Sequence, residues 1–264
     1  MAYVIALAGK GGTGKTTIAA LTIRYLMEKK QKTILAVDAD SNSCLNEALG
    51  VSVHATIGKL REESLATVRS GAERPGGMSM EQLFDYQVQQ AIIEAKGFDL
   101  LVMGRPEGPG CYCAANNIIR KYTDLLSDKY AYVVIDNEAG MEHLSRRTTH
   151  KINLMLVISD PSQKGMTTAK RINDLIDELS LEVDNRVLIV NKIPSHEPAG
   201  LKEKAEHFNF HRYEPYGSYH SVSCVPEDSE IYQLDLEGKP VFKLPSDSKA
   251  VKSVFDLLDA LKIP

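Results

Sequence analysis

Four glycines, two lysines and three threonines fill the nine residues Gly9-Lys10-Gly11-Gly12-Thr13-Gly14-Lys15-Thr16-Thr17. Glycines at this density let successive backbone N–H groups turn inward without Cβ clashes and form a nest for phosphate oxygens, and the positive end of a following helix adds to it. Lys15 is placed to reach the β- and γ-phosphates, and the Thr16 hydroxyl to ligate the accompanying Mg²⁺. The full pattern G-x-x-x-x-G-K-[ST] runs from Gly9 to Thr16, between the strand-like run Tyr3 to Ala8 and a helix-like run. A chance glycine-rich turn does not produce that order, so the chain is expected to bind ATP or GTP through Gly11, Gly12, Thr13, Gly14, Lys15, Thr16 and Thr17.

Lys10 is an addition that an ordinary phosphate loop does not require. The stretch Lys-Gly-Gly-x-Gly-Lys-Thr-Thr resembles the deviant loop of the partition, septum-site and nitrogenase-iron-protein superfamily. The resemblance implies a homodimer that sandwiches ATP, with Lys10 stabilising charge on the nucleotide of the other subunit. It also assigns roles to Asp38-Ala39-Asp40, whose two carboxylates are one residue apart at the end of an apolar run and so point the same way in an extended chain. By that likeness Asp38 holds the magnesium water shell and Asp40 orients the attacking water, although Ser41 stands where relatives more usually carry proline.

Tyr132-Val133-Val134-Ile135-Asp136 has the form of the strand that carries a second magnesium-associated carboxylate in phosphate-loop enzymes, which makes Asp136 a further candidate. Gly140 follows at the spacing where the superfamily senses the γ-phosphate through a backbone N–H, implying a switch ordered by ATP. Val190-Asn191-Lys192 and Val225-Pro226-Glu227-Asp228 resemble its adenine-binding segments. The Asn191 amide carries donor and acceptor side by side, as the adenine edge needs, while the backbone of Pro226, Glu227 and Asp228 is expected to line the pocket. Together these favour ATP over GTP.

Cys111-Tyr112-Cys113 follows the turn-rich Gly104 to Gly110. Two thiols so close can grip one soft metal but cannot close a four-coordinate sulfur site. In a two-fold dimer with this loop near the axis, two such pairs would meet as four thiolates, suited to zinc or, in planar geometry, to nickel. Cys44 and Cys224 stand singly and are expected to be buried, and the seven histidines, His143 included, show no ligand spacing with the pair.

The deviant loop, Pro-Gly-Cys-Tyr-Cys and Asp-x-Glu-Ala-Gly-x-Glu-His-Leu together resemble the nickel-insertion ATPases that mature carbon monoxide dehydrogenase, the CooC type, or their acetyl-CoA synthase counterparts. The likeness spans nearly the whole chain and implies a metallochaperone delivering nickel to such an apoenzyme. Competing expectations are an iron–sulfur electron-transfer ATPase of the nitrogenase-iron-protein kind, whose cluster cysteines are well separated, and a partition or septum-positioning ATPase, which needs a basic patch or a lysine-rich amphipathic terminus.

The elements that must position these residues alternate. Tyr3 to Ala8, Thr33 to Val37, Phe98 to Met103, Ala131 to Ile135, Ile152 to Ile158 and Arg186 to Val190 are short apolar runs, as expected of strands buried on both faces. Lys15 to Lys29, Met80 to Lys96, Ala114 to Ser127, Thr167 to Leu179 and Lys249 to Leu261 carry apolar residues at helical spacing. This order predicts an α/β, doubly wound, mostly parallel sheet with ligands at the carboxyl ends of its strands.

At 264 residues the chain is within the ~250–300 that one core can serve, so residues 1–264 are expected to form one phosphate-loop ATPase domain. Thirty-one basic against 35 acidic residues give a net charge of −4 with no basic run, which argues against nucleic acid as a partner. No leader is evident and no apolar stretch approaches the ~20 residues of a membrane span, so a soluble cytoplasmic protein is expected.

Overall fold

Continuous apolar runs rich in valine and isoleucine become strands because both of their faces can be covered, and the intervening amphipathic helices do the covering. In the computed structural model, which describes residues 2–70, 78–105, 121–122, 126, 128–138, 151–194, 219 and 221–264, the order begins β1 (Tyr3–Gly9), α1 (Lys15–Tyr25), β2 (Ile34–Ala39), α2 (Leu45–Leu49), α3 (Ile57–Ser70) and α4 (Met80–Ala91). It continues with β3 (Ile93–Ala95), β4 (Phe98–Val102), β5 (Tyr132–Asn137), β6 (Lys151–Ser159), α5 (Gln163–Glu178), β7 (Glu182–Ile193), β8 (Ser221–Pro226), α6 (Ser229–Leu236) and α7 (Lys249–Ala260). Among the described residues one eight-stranded sheet results, in the order β3-β4-β2-β5-β1-β6-β7-β8. Among the described strands only β3 runs antiparallel, against β4, so the fold is the expected doubly wound, mostly parallel one.

Period-two alternation along β1 divides the core. Ile5 and Leu7 join α1 and α7 on one face, and Val4, Ala6 and Ala8 join α3, α4 and α5 on the other. In α7 the side chains of Ala250, Val251, Val254, Leu257 and Leu258 are buried, so its apolar face is used in the core. The chain end is tied down as well: Ile263 is buried, and the Tyr132 hydroxyl donates to the Pro264 carbonyl.

One boundary corrects the sequence reading. The helix expected over Met80 to Lys96 stops at Ala91, and Ile93–Ala95 turns back as the edge strand β3. Its start is well marked, because Ser79 and Gln82 form a reciprocal capping box; its end has no comparable signal. Of the helix expected over Ala114 to Ser127, only Lys121, Tyr122 and Leu126 are among the described residues, and all three are helical. α1 passes into a π turn, Leu26–Lys30, ahead of β2.

Candidate functional site

β1 delivers the phosphate loop to the carboxyl edge of the sheet, between β5 and β6. Gly9 lies so close to Ile158 of β6 that any Cβ there would strike the Ile158 carbonyl, and Gly14, at φ +91, takes a conformation open to glycine. Thr13 is fully buried and its hydroxyl donates to the Lys10 carbonyl at 2.8 Å. Lys15 opens α1, 7% exposed, with Nζ 3.4 Å from the same carbonyl. Burial lowers its pKa, while Asp136, Asp40 and Glu138 favour its charged form.

The two candidate magnesium carboxylates are cross-strand neighbours: Asp38 of β2 is in register with Asp136 of β5. Asp38 has no exposed surface, and its oxygens accept from the backbone N–H groups of Asp40 at 3.1 Å and Leu45 at 3.0 Å. Burial, then the nearby Asp136, pushes its pKa up to about 7 in spite of those bonds. Asp136 is pushed up to about 6 by burial, with Thr16 and Lys15 pulling it back. Its Oδ1 is buried without a hydrogen-bond partner among the described residues.

Two adjacent buried carboxylates with an unsatisfied oxygen fit a divalent cation, which would hold them ionised. Among the described residues no three His, Cys, Asp or Glu side chains form a cage by themselves. That agrees with magnesium, which is commonly held by one or two carboxylates, phosphates and water.

Asp40 lies just beyond β2, half-buried. Its Oδ1 accepts from Asn42 N–H at 2.8 Å, and Ser43 N–H bonds its carbonyl at 3.1 Å, so Ser41 sits in an ordered turn without proline. Ser41 Oγ also donates to Glu138 at 3.3 Å, linking this turn to the end of β5.

Asn191 is buried at the end of β7, where its Nδ2 donates to the Thr13 carbonyl at 2.8 Å. One of its two amide N–H groups is thus engaged with the phosphate loop. Glu227 N–H bonds the Ile193 carbonyl at 2.8 Å, which brings Pro226, Glu227 and Asp228 beside Asn191. The Asp228 side chain fastens the starts of α6 and α7, accepting from Glu230 N–H at 3.0 Å, Ser248 Oγ at 2.7 Å and Ala250 N–H at 3.2 Å. Asp228→Ala is expected to cost about 2 to 3 kcal/mol and to lower Tm by roughly 5–10 °C, checked by thermal unfolding.

Gly140, Cys111, Cys113 and His143 lie outside the described residues. Cys44 is exposed on the loop after β2, which corrects the expectation of burial, and Cys224 is half-buried on β8. Lys192, named in the sequence only as part of an adenine-like segment, Glu138 and Asp160 also stand at this edge. Glu138 was signalled by its position after Asp136. Asp160 follows β6; burial works against its charge, but bonds from Ser162 and the nearby Lys10 and Lys192 hold its pKa below the ordinary value.

A sequence model described as the CobQ/CobB/MinD/ParA nucleotide binding domain matches residues 4–241. An uncharacterised ATP-binding protein of Methanocaldococcus jannaschii is 40% identical over 258 residues, covering 98% of each chain. The carbon monoxide dehydrogenase accessory protein CooC of Rhodospirillum rubrum is 28% identical over 249 residues, 91% of this chain and 89% of that one. Among solved structures, the cell division ATPase MinD of Pyrococcus furiosus matches with a TM-score of 0.67 at 21% identity over 99% of both chains, a likeness of fold.

Proposed function

The chain belongs to the CobQ/CobB/MinD/ParA nucleotide-binding family and is an ATPase, and from that premise we propose that it is a nickel-delivering maturation ATPase for a carbon monoxide dehydrogenase or acetyl-CoA synthase apoenzyme. The observation that carries the finer reading is Cys111-Tyr112-Cys113 in a chain 28% identical to CooC along nine-tenths of its length. Nickel, or zinc in its place, is the cargo, gripped by these thiolates from both subunits of a homodimer. Thiolates hold soft divalent ions too tightly for prompt release, so a dimer whose geometry changes with ATP turnover gives hydrolysis a purpose.

In the hydrolytic site Lys15 and the loop N–H groups meet the phosphates, Asn191 and the segment Pro226 to Asp228 flank the base, and Gly140 would sense the γ-phosphate. Thr16, Asp38 and Asp136 would hold Mg²⁺, which when bound neutralises phosphate charge. Asp40, with Oδ2 not used in its turn, accepts from a water and aims it at the γ-phosphate. The partner subunit's Lys10 would add positive charge as negative charge grows on the leaving ADP.

Two other readings meet physical objections. Cysteines one residue apart are ill placed to bridge an iron–sulfur cluster in the manner of well-separated ligands. A membrane-positioning role calls for an exposed amphipathic helix, and the apolar face of α7 is buried; no helix among the described residues is long and apolar enough to cross a membrane. Liposome co-sedimentation with ATP checks the latter.

The delivery reading predicts one nickel or zinc per dimer in anaerobically purified protein, and its loss together with metal-linked dimerisation in Cys111→Ser plus Cys113→Ser. Size-exclusion chromatography with metal analysis measures both. Metal retained by the double variant would defeat the reading.

A further inference from the structure

Asn191 and Lys192 are consecutive residues of β7, and in a regular strand their side chains leave opposite faces. Here both reach the phosphate loop: Asn191 Nδ2 donates to the Thr13 carbonyl at 2.8 Å and Lys192 Nζ to the Gly12 carbonyl at 2.9 Å. A bulge makes this possible. β7 pairs Val190 with Cys224 and then Ile193 with Pro226 of β8, so three steps along β7 match two along β8. The extra residue bends the strand at the point where it meets the loop.

Lys192 carries φ +60, a left-handed conformation that a lysine adopts only at a cost in backbone energy. We propose that Lys192 is a positioning residue for the phosphate loop, which with Asn191 clamps two successive loop carbonyls from the neighbouring strand. A trans peptide sets its N–H opposite its carbonyl. Holding the Thr13 carbonyl therefore orients the Gly14 N–H, and holding the Gly12 carbonyl orients the Thr13 N–H, which closes the turn on the Lys10 carbonyl at 3.4 Å.

Lys192 also brings a cation to the outer side of the loop, where Asp160 is its nearby counter-charge. The clamp joins the strand that carries the base-reading Asn191 to the turn that cradles the phosphates. Base and phosphate recognition then share one rigid connection. This inference rests on the nucleotide-site reading and does not depend on nickel.

The test uses the full chain and compares MgATP with inorganic tripolyphosphate, which lacks the base and ribose. Lys192→Met keeps the stem and removes the donor: KM for MgATP and the Kd for both ligands are expected to rise about tenfold, with kcat within about threefold and Tm within about 2 °C. Lys192→Gly should lose affinity equally while matching or exceeding the wild-type Tm, since it also relieves the left-handed backbone. Lys192→Arg, which keeps a charged donor, should recover most of the affinity.

Wild-type affinity for tripolyphosphate in Lys192→Met would overturn the proposal. So would a fall in kcat and Tm at constant KM, the signature of a general structural role. A wild-type chain that neither binds nor hydrolyses MgATP would instead overturn the nucleotide-site reading beneath it.

Discussion

Asp136→Asn is expected to make the nucleotide-free protein more stable at pH 8 while cutting MgATP hydrolysis at least ~100-fold. The opposition of the two effects follows from the geometry. Asp136 is 2% exposed, faces Asp38 across the β2–β5 register, and leaves Oδ1 without a hydrogen-bond partner among the described residues. Burial raises its pKa from 3.8 to about 6, and burial with Asp136 as neighbour raises that of Asp38 to about 7.

The sign is that of carboxyls disfavoured as anions. Between the ordinary carboxyl range and these raised values the folded protein keeps protons that the unfolded chain has released, so stability falls as pH rises from about 4 to 7 and then levels off. A shift of about two units corresponds to an upper bound near 3 kcal/mol, so a gain of about 1 to 3 kcal/mol and a few degrees in Tm is expected at pH 8. The amide also removes one charge facing Asp38. Thermal unfolding in EDTA from pH 5 to 8 should show a shallower decline for the variant, and Mg²⁺ should stabilise the wild type more than Asp136→Asn. A variant less stable than wild type at pH 8, or one that retains hydrolysis, would contradict the assignment.

The same carboxylates show what could be read from the chain alone. Asp38 and Asp136 end apolar runs, and a buried parallel strand leaves little doubt where its terminal acid must emerge. The phosphate loop was legible for a related reason, since its geometry is local and needs glycine at fixed positions. β8 was not legible as a strand: Ser221-Val222-Ser223-Cys224 lies last in the order of the described strands and has no continuous apolar run.

β3 was absorbed into the helical pattern of α4 because three residues, Ile93–Ala95, are too few for a period to register. Lys192 escaped because its reach to Gly12, 180 residues away in sequence, depends on a bulge between β7 and β8. The exposure of Cys44 depends on how the turn after Asp40 folds, and residue type alone pointed the other way.

The two loop lysines should separate into distinct roles, and one of those roles should act between subunits. Lys15 is buried at the head of α1 amid Asp136, Asp40 and Glu138, so Lys15→Gln is expected to weaken MgATP binding itself at least ~50-fold. The Lys10 ammonium makes no hydrogen bond to a described residue, and it is the Lys10 carbonyl that serves the loop's own structure, accepting from Thr13 and Lys15. Lys10→Gln should therefore leave the Kd for MgATP within about threefold while lowering kcat ~100-fold, as for an interaction made only in the transition state.

Subunit mixing decides whether that interaction crosses the interface. Asp40→Asn is inactive in its own site but keeps Lys10; Lys10→Gln is inactive toward its partner's site but keeps Asp40. In a mixed dimer one site then has both residues, and an equal mixture of the two inactive variants should recover roughly a quarter of the wild-type rate once subunits exchange. If Lys10 acted on its own nucleotide, each site of the mixed dimer would lack one residue and no activity would return. Steady-state phosphate release from the mixture separates these outcomes and, with them, an ATP-sandwich dimer from two independent ATPases.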